Sequence, residues 1–165
     1  MALMSHTDSK ASASRKASMK PTPPGWPRVA SALYYQDANA MIDWLCQAFG
    51  FTIRIKVPGV DGSVEHCELE LADGLVMVGS AEVKRAWSKS PRTLGGANTQ
   101  SLMAYVDDVE AHFQRAKSSG AKIVSEPKSV DYGPEYWSDR GYECIDPEGH
   151  HWWFIQRLRN PPAKA

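Results

Sequence analysis

The strongest constraint on this chain is a pattern of elements that occurs twice. A strand-like run, "VASALYYQ" (29–36), leads into "ANAMIDWLCQAF" (38–49), with Asp37 placed to cap the helix and Gly50 to end it. Ala38, Met41, Ile42, Leu45 and Phe49 fall on one helical face. "FTIRIKV" (51–57) then alternates as a strand does, and "PGVDG" (58–62) turns. "SVEHCELELA" (63–72) and "LVMVGSA" (75–81) flank an Asp73-Gly74 hairpin turn. After a polar connector the order restarts. "SLMAYV" (101–106) is a strand, Asp107-Asp108 a cap, "VEAHFQRAKSS" (109–119) a helix with Val109, Phe113 and Ala116 inward, and Gly120 a stop. "AKIVSEP" (121–127) is a strand, "KSVDYGPEYWS" (128–138) a loop and "RGYECI" (140–145) a strand. Asp146-Pro147-Glu148-Gly149 forms a turn, and "HHWWFIQRL" (150–158) is the last strand.

Laid over each other, the halves pair Tyr35 with Tyr105, Asp37 with Asp107, Gly50 with Gly120 and Ile53 with Ile123. These identities are few, but the element order is the stronger signal, because a repeated supersecondary unit means a pseudo-symmetric domain. The fold class is therefore α+β, built from two tandem βαβββ modules. One domain spans 28–158, with module one at 28–80, a connector at 81–98 and module two at 99–158. Residues 1–25, rich in Ser, Lys, Ala and Pro with Asp8 the single acid, bury too little apolar surface to order themselves. They are expected to be a disordered tail, native or added in cloning, with an organelle-targeting segment as the alternative. Residues 159–165 form a second tail.

Lys plus Arg equals Asp plus Glu at 19 each, which gives no basic excess for nucleic acid. No apolar run reaches the roughly 20 residues of a membrane helix. Cys46, Cys67 and Cys144 are odd in number and form no C-x-x-C pair, which fits free thiols in a reducing, cytoplasmic setting. Phosphate-loop, dinucleotide, zinc-protease and nucleophile-elbow motifs do not occur.

"DANAMIDWLCQAFGF", "YVDDVEAHFQRAKSSGAKI" and "RGYECIDPEGHHWWF" together resemble the vicinal oxygen chelate superfamily, and its PhnB-like branch most. That superfamily holds glyoxalase I, extradiol dioxygenases, fosfomycin-resistance enzymes and bleomycin-resistance proteins. The resemblance implies a curved mixed sheet forming a cup, with the helices outside. It also implies four strand positions that carry His, Glu or Gln ligands to a divalent metal in the enzymes. Those positions fall near Ala30, at Met77 (Val78 in a shifted register), at Ser101 (or Gln100) and at Trp153. Ala, Met, Ser and Trp do not make a site for a hard or borderline divalent ion. The resemblance therefore implies no metal and no cofactor, after the precedent of bleomycin-resistance proteins, which sequester a drug. It also implies a homodimer, in some relatives with the ligand site between subunits.

Strand alternation sorts the candidate ligand contacts. Cys67, Leu69 and Leu71 share the helix side, which leaves His66 and Glu68 side by side on the other face. Tyr142 and Cys144 point to the helix, so Glu143 points away; a carboxylate in a partly apolar cup is expected to titrate high or to pair with Arg140 or Arg54. Trp152 reads as core. Trp153 reads as the floor of the cup or as core, and Tyr34, Met103 and Tyr105 as walls. Trp137 either closes the mouth or pins its own loop. His150 and His151 diverge, with His150 expected in solvent or bonded to the hairpin. Three functions remain open. The first is a metal-independent binder of a planar organic ligand contacting Trp153, Trp137, Glu143, His66, Glu68, Tyr34, Ser101 and Tyr105. The second is a lyase, isomerase or dioxygenase with a displaced site on His66 and Glu68. The third is a structural module with a filled cup.

Overall fold

A computed structural model describes residues 19–163; the remainder of both tails, 1–18 and 164–165, lies outside the described residues. The elements are β1 (Ser31–Tyr35), α1 (Ala38–Phe49), β2 (Thr52–Pro58), β3 (Val64–Leu71), β4 (Gly74–Ser80), β5 (Ser101–Tyr105), α2 (Val109–Ser118), β6 (Lys122–Asp131), β7 (Ser138–Ile145) and β8 (His151–Arg159). They form two four-stranded mixed sheets, ordered β1-β4-β3-β2 and β5-β8-β7-β6. In each, the first strand runs parallel to the last and the other neighbours are antiparallel. This is the α+β fold of two βαβββ modules. The sheets are not closed onto each other: no ladder joins β1 to β5 among the described residues.

Local chemistry sets the helix ends. The Asp37 carboxylate accepts from the Ala40 N–H at 3.0 Å, and Gly50, at φ 81°, donates to the Cys46 carbonyl. In the second module Asp108, not Asp107, caps the helix by accepting from the Ala111 N–H at 3.0 Å, so the repeat slips by one residue at that point. Residues 128–131, expected in a loop, extend β6 instead. They pair with β7 through Lys128↔Gly141, Ser129↔Arg140, Val130↔Asp139 and Asp131↔Ser138. Pro127 marked the end of the strand in the sequence. It is tolerated because β6 is an edge strand whose ladder is interrupted between Ser125 and Lys128.

Each helix lies on its own sheet, and the two modules share one core. The Phe49 ring, at the end of α1, packs 5.2 Å from Trp152 and 4.6 Å from Phe154 of module two. The helices also serve each other's C-terminal carbonyls, which have no partner within their own helix. Trp44 Nε1–H donates to Ser119 O at 2.8 Å, Arg115 Nε–H to Ala48 O at 3.1 Å, and His112 Nε2–H to Phe49 O at 3.1 Å. Packed this way, the helices leave one face of each sheet free of helix, and Met103 and Tyr105 are more than half exposed there.

Candidate functional site

The alternation of the strands decides what the helix-free faces carry. Leu33, Tyr35, Cys67, Leu69, Val76 and Val78 are buried on the helix side of the first sheet, which places Tyr34, His66, Glu68 and Met77 on the other. Leu102, Tyr142, Cys144, Trp152 and Phe154 are buried in the second, which places Ser101, Tyr105, Glu143, His151 and Trp153 opposite. Met77 rather than Val78 therefore lies on the helix-free face. Gln100 precedes β5, and its side-chain amide reaches Ser31 Oγ at 3.4 Å. The set near Ala30, Met77, Ser101 and Trp153 offers one hydroxyl and one thioether, which does not fit a divalent metal. Among the described residues no three His, Cys, Asp or Glu side chains gather as a ligand set.

Five of the sequence-derived candidates share module two. Trp153 is partly buried and lies opposite Met103 on β5 and Glu143 on β7. Glu143 pairs with His151 at 3.2 Å, rather than with Arg140 or Arg54. Ser101 is in register with His151, and Tyr105 with Ile155. Arg157 links Tyr105 to Trp137: its guanidinium carbon is 5.1 Å from one ring centroid and 5.4 Å from the other, while Asp139 holds Nε at 2.5 Å. Trp137 also leans on Tyr132, at 5.2 Å. Arg157 was legible in the sequence, since it is four residues beyond Trp153 and shares its strand face.

The other three candidates lie on module one. His66 Nε2 is 3.1 Å from Glu68 Oε1. Glu68 is buried, because Trp26 covers it from outside the repeat. The indole N–H of Trp26 donates to Glu68 Oε1 at 3.2 Å, and its ring lies 3.5 Å under the Arg54 guanidinium. Arg54 also donates to the Gly25 carbonyl, and its Nε sits 3.7 Å from Glu68 Oε2. Burial alone would raise the Glu68 carboxyl. Hydrogen bonds from His66 and Trp26, with the charges of His66 and Arg54, outweigh burial and hold it below the usual range. Trp26 and Arg54 were missed as partners of Glu68; the only signal was a lone aromatic in "PPGWP". Tyr34 packs edge-on to Trp87 at 5.6 Å. Among the described residues no hydrogen bond, ion pair or ring contact joins the three module-one candidates to the five on module two.

One cavity, of about 400 Å³, separates Ala30, Ser31 and Leu75 from Ser101, Met103 and Tyr105, with Trp152 rather than Trp153 in its lining. A second of about 240 Å³ is lined by Tyr34, His66, Met77 and Arg85.

The Asp146–Gly149 turn faces inward. Asp146 Oδ1 accepts from the N–H groups of Glu148, Gly149 and His150, and Oδ2 from Tyr35 OH at 2.7 Å and Trp152 Nε1–H at 3.2 Å. Glu148 is buried and accepts from the Gln36 and Asp37 N–H groups at 2.7 and 2.9 Å and from Ser90 OH at 2.6 Å. His150 is not in solvent, as one expectation had it. It is buried against the Tyr35 ring, at 4.8 Å, and its Nε2–H donates to Tyr34 O at 3.2 Å. The turn was legible, but the module that it grips was not.

The sequence model of the Glyoxalase/Bleomycin resistance protein/Dioxygenase superfamily matches residues 27–154. The chain belongs to that superfamily. An uncharacterized protein of Mycobacterium tuberculosis strain H37Rv is 33% identical over 135 residues, covering 81% of this chain and 76% of its own. The crystal structure of TioX from Micromonospora sp. ML1 is similar at 29% identity and a TM-score of 0.61, over 84% of this chain and 98% of that one. The fosfomycin resistance protein FosX from Listeria monocytogenes shares the fold alone, at 10% identity and a TM-score of 0.55 over 79% and 93% of the two chains.

Proposed function

We propose that this superfamily member is a metal-independent small-molecule-binding protein that sequesters a planar organic ligand, an antibiotic being one such class. The observation that carries the proposal is Trp153. Its ring stands where metal enzymes of the fold place a ligand, partly open, between Met103 and Glu143, and it stacks on no other ring among the described residues. A flat ligand stacks on it, Trp137 closes over, and Glu143, Ser101 and Tyr105 supply polar contacts.

His66, Glu68 and Tyr34 lie on the other module, with no contact to this group. A homodimer that sets module one of one copy against module two of its partner brings both groups to one cup. The exposure of Met103 (56%) and Tyr105 (51%) supports such a cover. The PhnB-like branch and a cytoplasmic setting belong to the same proposal, and free Cys46, Cys67 and Cys144 support the second. No helix among the described residues is long and apolar enough to cross a membrane.

Tryptophan fluorescence tests the proposal. Across a panel of planar ligands, quenching is expected in wild type and lost in Trp153→Phe. A stoichiometric divalent metal that copurifies and is lost in His66→Ala overturns it. That outcome would favour the enzyme reading, which is supported by the 3.1 Å His66–Glu68 pair.

A further inference from the structure

The cavity of about 240 Å³ on module one lies over the helix-free face of β1 and β4, where Ala32 and Met77 are in register. Its polar lining comes from Tyr34, Glu65, His66 and Arg85, the last supplied by the connector. Ala32, Tyr34, His66 and Met77 are each partly exposed and Arg85 is exposed, so these side chains can be reached from solvent. None of Trp153, Trp137, Glu143, Ser101 or Tyr105 takes part, which separates this cavity from the group that carries the proposal above.

Arg85 is a cation without a counter-charge. Its neighbours in the connector are paired, Lys84 with Glu65 and Lys89 with Glu82. Among the described residues Arg54, Arg92, Arg140, Arg157 and Arg159 each meet a carboxylate, and Arg28 and Arg115 meet backbone carbonyls. Arg85 meets neither. Its Nη1 lies 3.5 Å from Tyr34 OH, which is long for a hydrogen bond. That contact holds the guanidinium over the helix-free face, on which Tyr34 stands, and leaves donors of the planar fork unspent. The Trp87 ring steadies both groups, 5.7 Å from the guanidinium carbon and edge-on to Tyr34 at 5.6 Å. The nearby carboxylates are already answered: Glu65 by Lys84, and Glu68 by His66, Trp26 and Arg54.

We propose that this cavity binds a small aromatic carboxylate. The carboxylate takes the Arg85 fork in two parallel N–H···O bonds, and the flat ring lies on Ala32 and Met77. Tyr34 OH accepts from Arg85 and is free to donate its own proton to the same carboxylate. A neutral amide brings one acceptor oxygen and no charge to the fork. An anion without a ring leaves the apolar floor uncovered.

The test uses the full chain and four probes: benzoate, benzamide (the same ring without the charge), acetate (the charge without the ring) and inorganic phosphate. NMR follows the Met77 methyl and the Arg85 Nε–H through each titration. Benzoate is expected to move both signals with one dissociation constant and to bind about tenfold more tightly than any other probe. Arg85→Gln is expected to weaken benzoate about tenfold, to the level of benzamide, and to leave benzamide as it is. Because Arg85 is exposed, the melting temperature should not change. Ala32→Leu fills the floor and is expected to abolish benzoate binding with Arg85 still in place, which simple ion pairing at the surface would not show. Benzamide, acetate or phosphate binding as tightly as benzoate overturns the proposal, as does wild-type benzoate binding by a folded Ala32→Leu. So does benzoate binding that survives Arg85→Gln and is lost in Trp153→Phe, since that places the ring at the other site. If Ala32→Leu does not fold, the four-probe comparison and Arg85→Gln decide by themselves.

Discussion

The turn between β3 and β4 and the turn between β7 and β8 hold the same place in the repeat and do different work. The first is tight: Leu71 pairs with Gly74, and Ala72 and Asp73 sit exposed between them. The second, Asp146–His150, turns its carboxylates inward, Asp146 onto its own backbone and Tyr35, Glu148 onto the start of α1. The free faces differ in the same way. Glu68, on β3 beside Met77, is covered by Trp26 and Arg54; Glu143, in the matching place beside Trp153, has His151 as its one ion-pair partner among the described residues. A duplicated unit has thus diverged, one half gripped and capped, the other left open.

The two turns give the largest expected contrast. Glu148→Ala strands the Gln36 and Asp37 N–H groups and Ser90 OH, and should cost about 3–5 kcal/mol in urea denaturation. Asp73→Ala, on the equivalent exposed turn, should stay within about 0.5 kcal/mol. If both variants melted alike, the second turn would not be a grip.

Next come the adjacent tryptophans. Trp152 is 1% exposed in the core, and Trp152→Ala should cost about 3–5 kcal/mol. Trp153→Phe should cost about 1 kcal/mol or less and abolish ligand quenching. A large stability loss from Trp153→Phe with quenching intact would make it core.

Position 112 sharpens the comparison through pH. Its counterpart at the same offset in module one is Ile42, also buried. Burial pushes the His112 imidazole down to about 4 from 6.5. The unfolded chain takes up that proton below 6.5 while the folded chain resists it until about 4, so stability from this group is full above 6.5 and falls as pH drops to 4. The loss over that window should approach about 3 kcal/mol. His112→Ile should flatten the denaturation midpoint across it, whatever it does to the absolute value. An equally steep profile would assign the slope to another group.

The smallest effect concerns the cap. Trp26→Ala removes one hydrogen bond from Glu68 and should cost about 1 kcal/mol, with the Glu68 titration by carbon NMR moving upward. An unmoved titration would mean that Trp26 does not hold that carboxylate.

Much of this was legible because helices and strands have periods. Ala38, Met41, Ile42, Leu45 and Phe49 on α1, Trp152 against Trp153, and Glu143 against Cys144 all fall where periodicity of about 3.6 or 2 puts them. Trp26 over Glu68, Arg157 between Tyr105 and Trp137, and Glu148 on Gln36 join residues 42, 52, 20 and 112 positions apart, and no local period encodes such pairs.

The sequence by itself determined the order of elements, the side of the strand on which each candidate lies, and the side-chain types at Met77, Ser101 and Trp153. Those follow from spacing and side-chain type. Only the tertiary structure decided that Glu68 is capped, that His150 is buried with one nitrogen unmet, and that the second turn grips the first module. Each of these depends on which distant surfaces meet, and that is settled by packing the two modules into one core.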